Sequence, residues 1–192
     1  MREHLTVLER LGVSGVQVRR PTDLKGVQAL VMPGGESTTM SLLLRSSGLL
    51  PELEKLVADG VPLLGTCAGM ILLSKEILDG RSDQVSLGAI DLVIRRNAFG
   101  RQLESFETDL AVVGIGGGPM HAVFIRAPIV ESAGPGVEVL ASLPLARHGE
   151  DSRARPVVCR QGPVIVAAFH PELSGDGRLH QMLLGQIELE GG

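Results

Sequence analysis

Two short stretches hold the residues best suited to covalent chemistry: Gly65-Thr66-Cys67-Ala68-Gly69 and Phe169-His170-Pro171-Glu172. The first is the cysteine form of a nucleophile elbow, G-x-S-x-G, where a strand turns sharply into a helix and presents the reacting side chain. Its glycines are required because the turn is tight and a side chain there would collide with the neighbouring strand and helix. A thiol so placed meets the free N–H groups and positive dipole end of a helix, both of which favour thiolate. A buried structural cysteine is the competing reading of the pentapeptide alone. Loops elsewhere in the chain decide between them.

His170 and Glu172 supply what a thiol nucleophile needs. With Cys67 they make a nucleophile, a general base and an orienting carboxylate. The spacing of two keeps both side chains on one side of an extended segment, and Pro171 stiffens it. The competing readings are a surface histidine capping a strand and a solvated carboxylate. The joint occurrence with an elbow cysteine is what lifts the pair. His4, His121, His148 and His180 are read as surface histidines.

The elements that must position these groups follow from periodicity. Leu5, Leu8 and Leu11 predict a helix over 2–12 stopped by Gly12, and alternation predicts a strand over 13–18. A buried strand over 27–32 ends at Pro33-Gly34-Gly35-Glu36-Ser37-Thr38-Thr39, which feeds a helix. A second helix is expected over 51–59 with Pro51 at its first position. Then come the elbow strand and a helix-compatible run over 70–78. Strands are expected over 92–95, 105–113, 122–125, 137–143, 156–161 and 164–169, before a helix over 177–189. The expected fold is α/β, a three-layer open, mainly parallel sheet with helices on both faces and antiparallel strands in the second half. Residues 114–119 read as a flexible loop, lacking the Lys and the context of a phosphate-binding loop. Three loops at strand C-terminal ends, 34–37, 65–69 and 169–172, are where a ligand site belongs.

Composition excludes several classes. With 192 residues, one domain with a sizeable core is expected. A net charge of −4 without long runs of one sign leaves no nucleic-acid footprint. Four Phe and no Trp or Tyr remove the usual stacking platforms for single strands. No apolar run approaches the ~20 residues of a membrane helix, and no signal-like opening suggests secretion. Cys67 and Cys159 are read as cytosolic thiols, Cys159 as packing, and no Cys/His cluster has zinc spacing.

At this level of detail the sequence resembles the class I (triad) glutamine amidotransferases, in which an elbow Cys precedes a C-terminal H-P-E. More narrowly it is similar to the glutaminase subunits of pyridoxal 5′-phosphate synthase. That match rests on 33–40 (PGGESTTM), 65–69 (GTCAG), 96–102 (RNAFGRQ), 124–128 (FIRAP) and 169–173 (FHPEL), which run in family order along almost the whole chain. The resemblance implies hydrolysis of L-glutamine to L-glutamate and ammonia, with Cys67 as nucleophile and His170 and Glu172 completing the triad. It places glutamine on Gly35, Glu36, Ser37, Arg96, Ile125 and Arg126. The Ala68 N–H would form part of the oxyanion hole, with Gly34 and Gly35 as candidates for the other donor. No cofactor and no metal are implied. The implied partner is a synthase subunit of (β/α)8-barrel type in a large heteromeric complex, which completes the oxyanion hole and takes the ammonia. Family members begin with a further apolar strand ending in L-Q-G. Relative to them the sequence opens at Met1-Arg2-Glu3-His4 and reads as one N-terminally truncated amidotransferase domain over 1–192. The alternatives carried forward are an inactive docking subunit and another class I amidotransferase.

Overall fold

The computed structural model describes residues 1–96, 105–144 and 154–190. Its first half alternates helix and strand: α1 (Arg2–Arg10), β1 (Leu30–Met32), α2 (Ser37–Ser46), α3 (Leu49–Ala58), β2 (Leu63–Thr66) and α4 (Ala68–Leu73). Strands dominate the second: β3 (Ser74–Ile77), β4 (Ile90–Arg95), β5 (Ser105–Leu110), β6 (Met120–Ile125), β7 (Ile129–Ala133), β8 (Glu138–Pro144), β9 (Ala154–Gln161) and β10 (Val164–Ala167). Helix α5 (Arg178–Glu190) follows.

The central sheet has the order β1-β2-β10-β9-β8. β2 runs parallel between β1 and β10, with Leu64 opposite both Val31 and Ile165. β9 and β8 extend it antiparallel. Every residue of β2 and β10 is buried, as expected of parallel strands covered on both faces. The sheet is therefore mixed, and its parallel half carries the elbow. A second sheet has the order β3-β4-β7, and β5 and β6 form a hairpin. Phe106 stacks on Phe124 at 4.5 Å between ring centroids, and Phe124 meets Phe169 at 5.4 Å. Phe169 is thus anchored in the core one residue before His170.

Several expectations are corrected. Residues 13–18 form no strand: they are largely exposed and pair with no ladder. β1 covers only the end of the strand expected over 27–32. Pro51 is the third residue of α3, because Gly48, in the left-handed region at φ +73°, lets the helix start at Leu49. The run over 70–78 is not one helix. α4 ends at Leu73, the Ser74 hydroxyl donates back to the Met70 carbonyl at 2.7 Å, and Ser74–Ile77 pairs with β4. β7 falls where no strand was expected. The loop over 114–119, expected to be flexible, is held by the Arg178 guanidinium, which donates to the carbonyls of Gly116, Gly118 and Pro119 at 2.7, 2.8 and 3.1 Å. Among the described residues no helix is long and apolar enough to cross a membrane.

Candidate active site

Cys67 sits between β2 and α4 with φ +50° and ψ −105°, a conformation L-residues seldom adopt. The sheet imposes it. The Cys67 N–H donates to the Ala167 carbonyl at 2.8 Å, while its own carbonyl accepts from the Ile71 N–H at 3.2 Å. The last strand bond and the first helix bond thus meet at one residue. The flanking glycines are needed for space: a β-carbon on Gly65 would come within 2.8 Å of the Gly69 backbone, and one on Gly69 would overlap the Met32 carbonyl. The thiol is buried and points at the Ile125 carbonyl, 3.8 Å away.

His170 emerges just beyond β10, its N–H donating to the Val123 carbonyl of β6 at 2.9 Å. Its Nδ1 lies 2.8 Å from Glu172 Oε1. A carboxylate can only accept, so Nδ1 carries the hydrogen and Nε2 remains for the thiol. Burial opposes charge on His170, but Cys67 and Glu172 outweigh it and raise its pKa to about 9. Burial likewise opposes charge on Glu172, yet bonds from His170 and His4 hold its carboxyl well below the usual range. The three predicted triad residues are therefore brought together.

Two histidines read as surface residues are instead buried beside them, His4 at 1% exposure and His180 at 0%. His4 Nε2 is 3.4 Å from both Glu172 Oε1 and Thr66 Oγ1, and its Nδ1 is 2.9 Å from His180 Nε2. His121 is half-exposed between Glu107 and Asp109 on the β5–β6 hairpin, and His148 lies outside the described residues. The available signal for His4 is its place on α1 between Leu5 and Leu8 on one side and Val7 on the other. It was outweighed by histidine's general preference for the surface.

The first loop packs against the triad. Gly34 lies directly against the His170 imidazole. Glu36 caps α2, accepting from the Thr38 and Thr39 N–H groups at 3.0 and 2.7 Å and from the Thr39 hydroxyl at 2.8 Å. These bonds, the Thr38 amide's foremost, lower its pKa to about 2. Ser37 is buried in the first turn of α2. Arg96 reaches the same turn, donating to Thr38 Oγ1 at 2.9 Å and Gln84 Oε1 at 2.7 Å. Gln84, unmarked in the sequence, ties this corner together by donating to the Ser37 carbonyl and to Ser41 Oγ. Ile125 carries the carbonyl facing Cys67, and Arg126, exposed, follows with φ +43°. Ala68 begins α4, fully buried. Residues 97–102 of the motif begun by Arg96 lie outside the described residues.

A cleft of about 900 Å³ between α1, β1, α2 and α5 borders this region through His4, Gly34 and Gly35, but Cys67, His170 and Glu172 do not line it. Cys159 is buried in β9, where burial pushes its thiol up to about 12. Among the described residues no cluster of His, Cys, Asp or Glu is arranged to hold a metal ion.

The profile of the SNO glutamine amidotransferase family matches residues 1–189. The chain belongs to that family. A relative from Parafrankia sp. (strain EAN1pec), the pyridoxal 5′-phosphate synthase subunit PdxT, is 50% identical over 190 residues, covering 99% of this chain and 89% of the relative. The protein of the same name from Rhodococcus jostii (strain RHA1) is 53% identical over 184 residues, covering 96% and 90%. A solved structure described as a glutamine amidotransferase superposes with a TM-score of 0.86 at 47% identity, covering 97% of this chain and 93% of the other. The family read from the sequence motifs is the family that matches. As an SNO amidotransferase the chain has the α/β fold expected of the class I enzymes.

Proposed function

We propose that this amidotransferase hydrolyses L-glutamine and passes the ammonia to a partner subunit of pyridoxal 5′-phosphate synthase. The observation that carries the reading is the 2.8 Å bond between His170 and Glu172 beside a cysteine held on an elbow. The Cys67 thiolate attacks the side-chain carboxamide carbon, and the oxyanion is held by the Ala68 N–H together with a donor from Gly34 or Gly35. His170 gives its proton to the departing nitrogen as the C–N bond breaks, leaving a thioester on Cys67. His170 then takes a proton from water as it attacks the thioester, and glutamate leaves. Glu172 keeps the imidazole in its Nδ1–H tautomer and balances its positive charge.

Glutamine is held by Gly35, Glu36, Ser37, Arg96, Ile125 and Arg126. A guanidinium suits the α-carboxylate through its forked donors, and Glu36 offers an acceptor to the ammonium. Ammonia released into water near neutral pH becomes ammonium, which is no nucleophile, so hydrolysis is useful only when docked to the acceptor enzyme. The names of the relatives support that assignment. The partner is of (β/α)8-barrel type, assembled with residues 1–192 as one glutaminase domain in a large heteromeric complex in the cytoplasm, without nucleic acid or membrane.

The test is glutamate release by the chain and by Cys67→Ala, each with and without the partner synthase. Turnover is expected only from the unaltered chain and is expected to rise strongly with the partner. Turnover that survives Cys67→Ala would sink the triad. An unaltered chain that binds the synthase yet releases no glutamate would make it a docking subunit.

A further inference from the structure

A carboxylate that orients a catalytic imidazole must itself be fixed by something other than that imidazole. Glu172 Oε2 is buried and has no hydrogen-bond partner. Apart from its own backbone amide, Glu172 is met by His170, whose Nδ1 bonds Oε1 at 2.8 Å, and by His4, whose Nε2 stands 3.4 Å from the same oxygen. Among the described residues His4 is thus the one side chain outside the triad placed to hold the carboxylate.

We propose that His4, supported by His180, is the positioning residue for Glu172, so that the triad is the outer part of a five-residue array running Cys67, His170, Glu172, His4 and His180. The hydrogen-bonding roles follow from chemistry. Glu172 can only accept, so His4 carries its hydrogen on Nε2. Its Nδ1 then takes the acceptor role toward the Nε2–H of His180 at 2.9 Å. That leaves His180 with a bare Nδ1, the buried ring nitrogen that has no partner. An unpartnered acceptor is the less costly of the two orphans, so this is the cheaper direction for the array. The array is anchored at both ends of the chain, on α1 and α5, and its inner end is sealed from water.

The groups facing it are Thr66, which also stands 3.4 Å from His4 Nε2, and Asp176, whose charge reaches His180 but is paired with Arg178 at 2.6 Å. Burial foremost lowers the pKa of His180 to about 4, which keeps its ring neutral. The negative charge of the array lies on Glu172, whose carboxyl is held well below the usual range, and is directed at His170. This inference takes its catalytic meaning from the glutaminase reading, but its first test does not depend on activity.

Imidazole nitrogen-15 NMR of the unaltered chain should show hydrogen on Nε2 of both His4 and His180 and a bare Nδ1 on His180. A His4 with a bare Nε2 overturns the proposal, whether or not the chain is a glutaminase. His4→Leu removes the donor, and His4→Gln keeps an N–H near the place of Nε2. In His4→Leu the His170 titration should fall by about one pH unit, because the carboxylate is no longer held against it. With the partner synthase, kcat should fall about tenfold and KM stay within about twofold, since substrate contacts are untouched. His4→Gln should restore both. A folded His4→Leu with unaltered His170 titration and kcat overturns the proposal. Should His4→Leu not fold, His180→Leu removes the next donor and is read in the same way.

Discussion

Gly34 stands against the imidazole of His170 so closely that a β-carbon on it would overlap Cε1 and come within 2.9 Å of Nδ1. The loop before α2 and the imidazole of His170 therefore share one van der Waals surface. Gly34→Ala is expected to push the ring off line. Misplacement by about 1 Å costs roughly a hundredfold in rate, whereas overpacking of this kind costs about 1–3 kcal/mol in stability. Glutamate release measured beside thermal unfolding should show a chain that still folds and turns over about a hundredfold more slowly. Equal activity would mean the loop yields at no cost.

Stability should pass through a maximum near pH 6.5, because two histidines, His180 buried and His170 half-buried, are shifted in opposite directions from that value. His170 is raised to about 9, so its contribution is complete below pH 6.5 and is lost as pH climbs through 9. His180 is lowered to about 4, so the unfolded chain binds the extra proton between pH 6.5 and 4 and stability falls as pH drops across that window. Each limb is worth on the order of 3 kcal/mol. Urea unfolding from pH 4 to 9 should give a dome. His180→Gln should flatten its acid side alone, and a monotonic profile would contradict the assignment.

The cap at Glu36 makes a separate, smaller prediction. Glu36→Ala should cost about 1 kcal/mol at pH 7 by leaving the Thr38 and Thr39 amides unpaired. A depressed carboxyl stabilises above its unfolded pKa, 4.5, and that contribution fades as pH falls towards about 2. The difference between Glu36→Ala and the unaltered chain should therefore shrink with acid, as chemical denaturation at pH 7 and pH 3 will show.

The two cysteines should react differently. Cys159 is fully buried with its thiol pushed up to about 12, so it is closed to reagent and uncharged at pH 8. Brief treatment with iodoacetamide should add one group, on Cys67, as read by peptide mass, and none to folded Cys67→Ala. Labelling of Cys159 in the folded chain would show that β9 opens.

What was legible in the sequence was local or fell at strand ends. Cys67, His170 and Glu172 could be grouped because each follows a buried apolar strand, and α/β sheets collect such ends on one edge. His4 and His180 could not, because they meet across 176 positions on two helices and neither has a distinctive neighbour. The run over 70–78 misled because its apolar residues fit a helix, while the strand at Ser74–Ile77 depends on β4, which follows later in the chain. Residues 13–18 alternate as a strand does, but alternation without a ladder partner is only a pattern. The loop over 114–119 looked free because Arg178, which holds it, is about sixty residues away.

One edge of β6 has a consequence for the chemistry. The Val123 carbonyl takes the N–H of His170, and two residues on the Ile125 carbonyl faces the sulfur of Cys67. Alternate carbonyls of a strand project to the same side at a fixed interval. β6 thus gives the two groups a common edge, one meeting it through the backbone and the other through sulfur. A shift of the β5–β6 hairpin would therefore disturb both groups at once, through the backbone of His170 and the sulfur of Cys67.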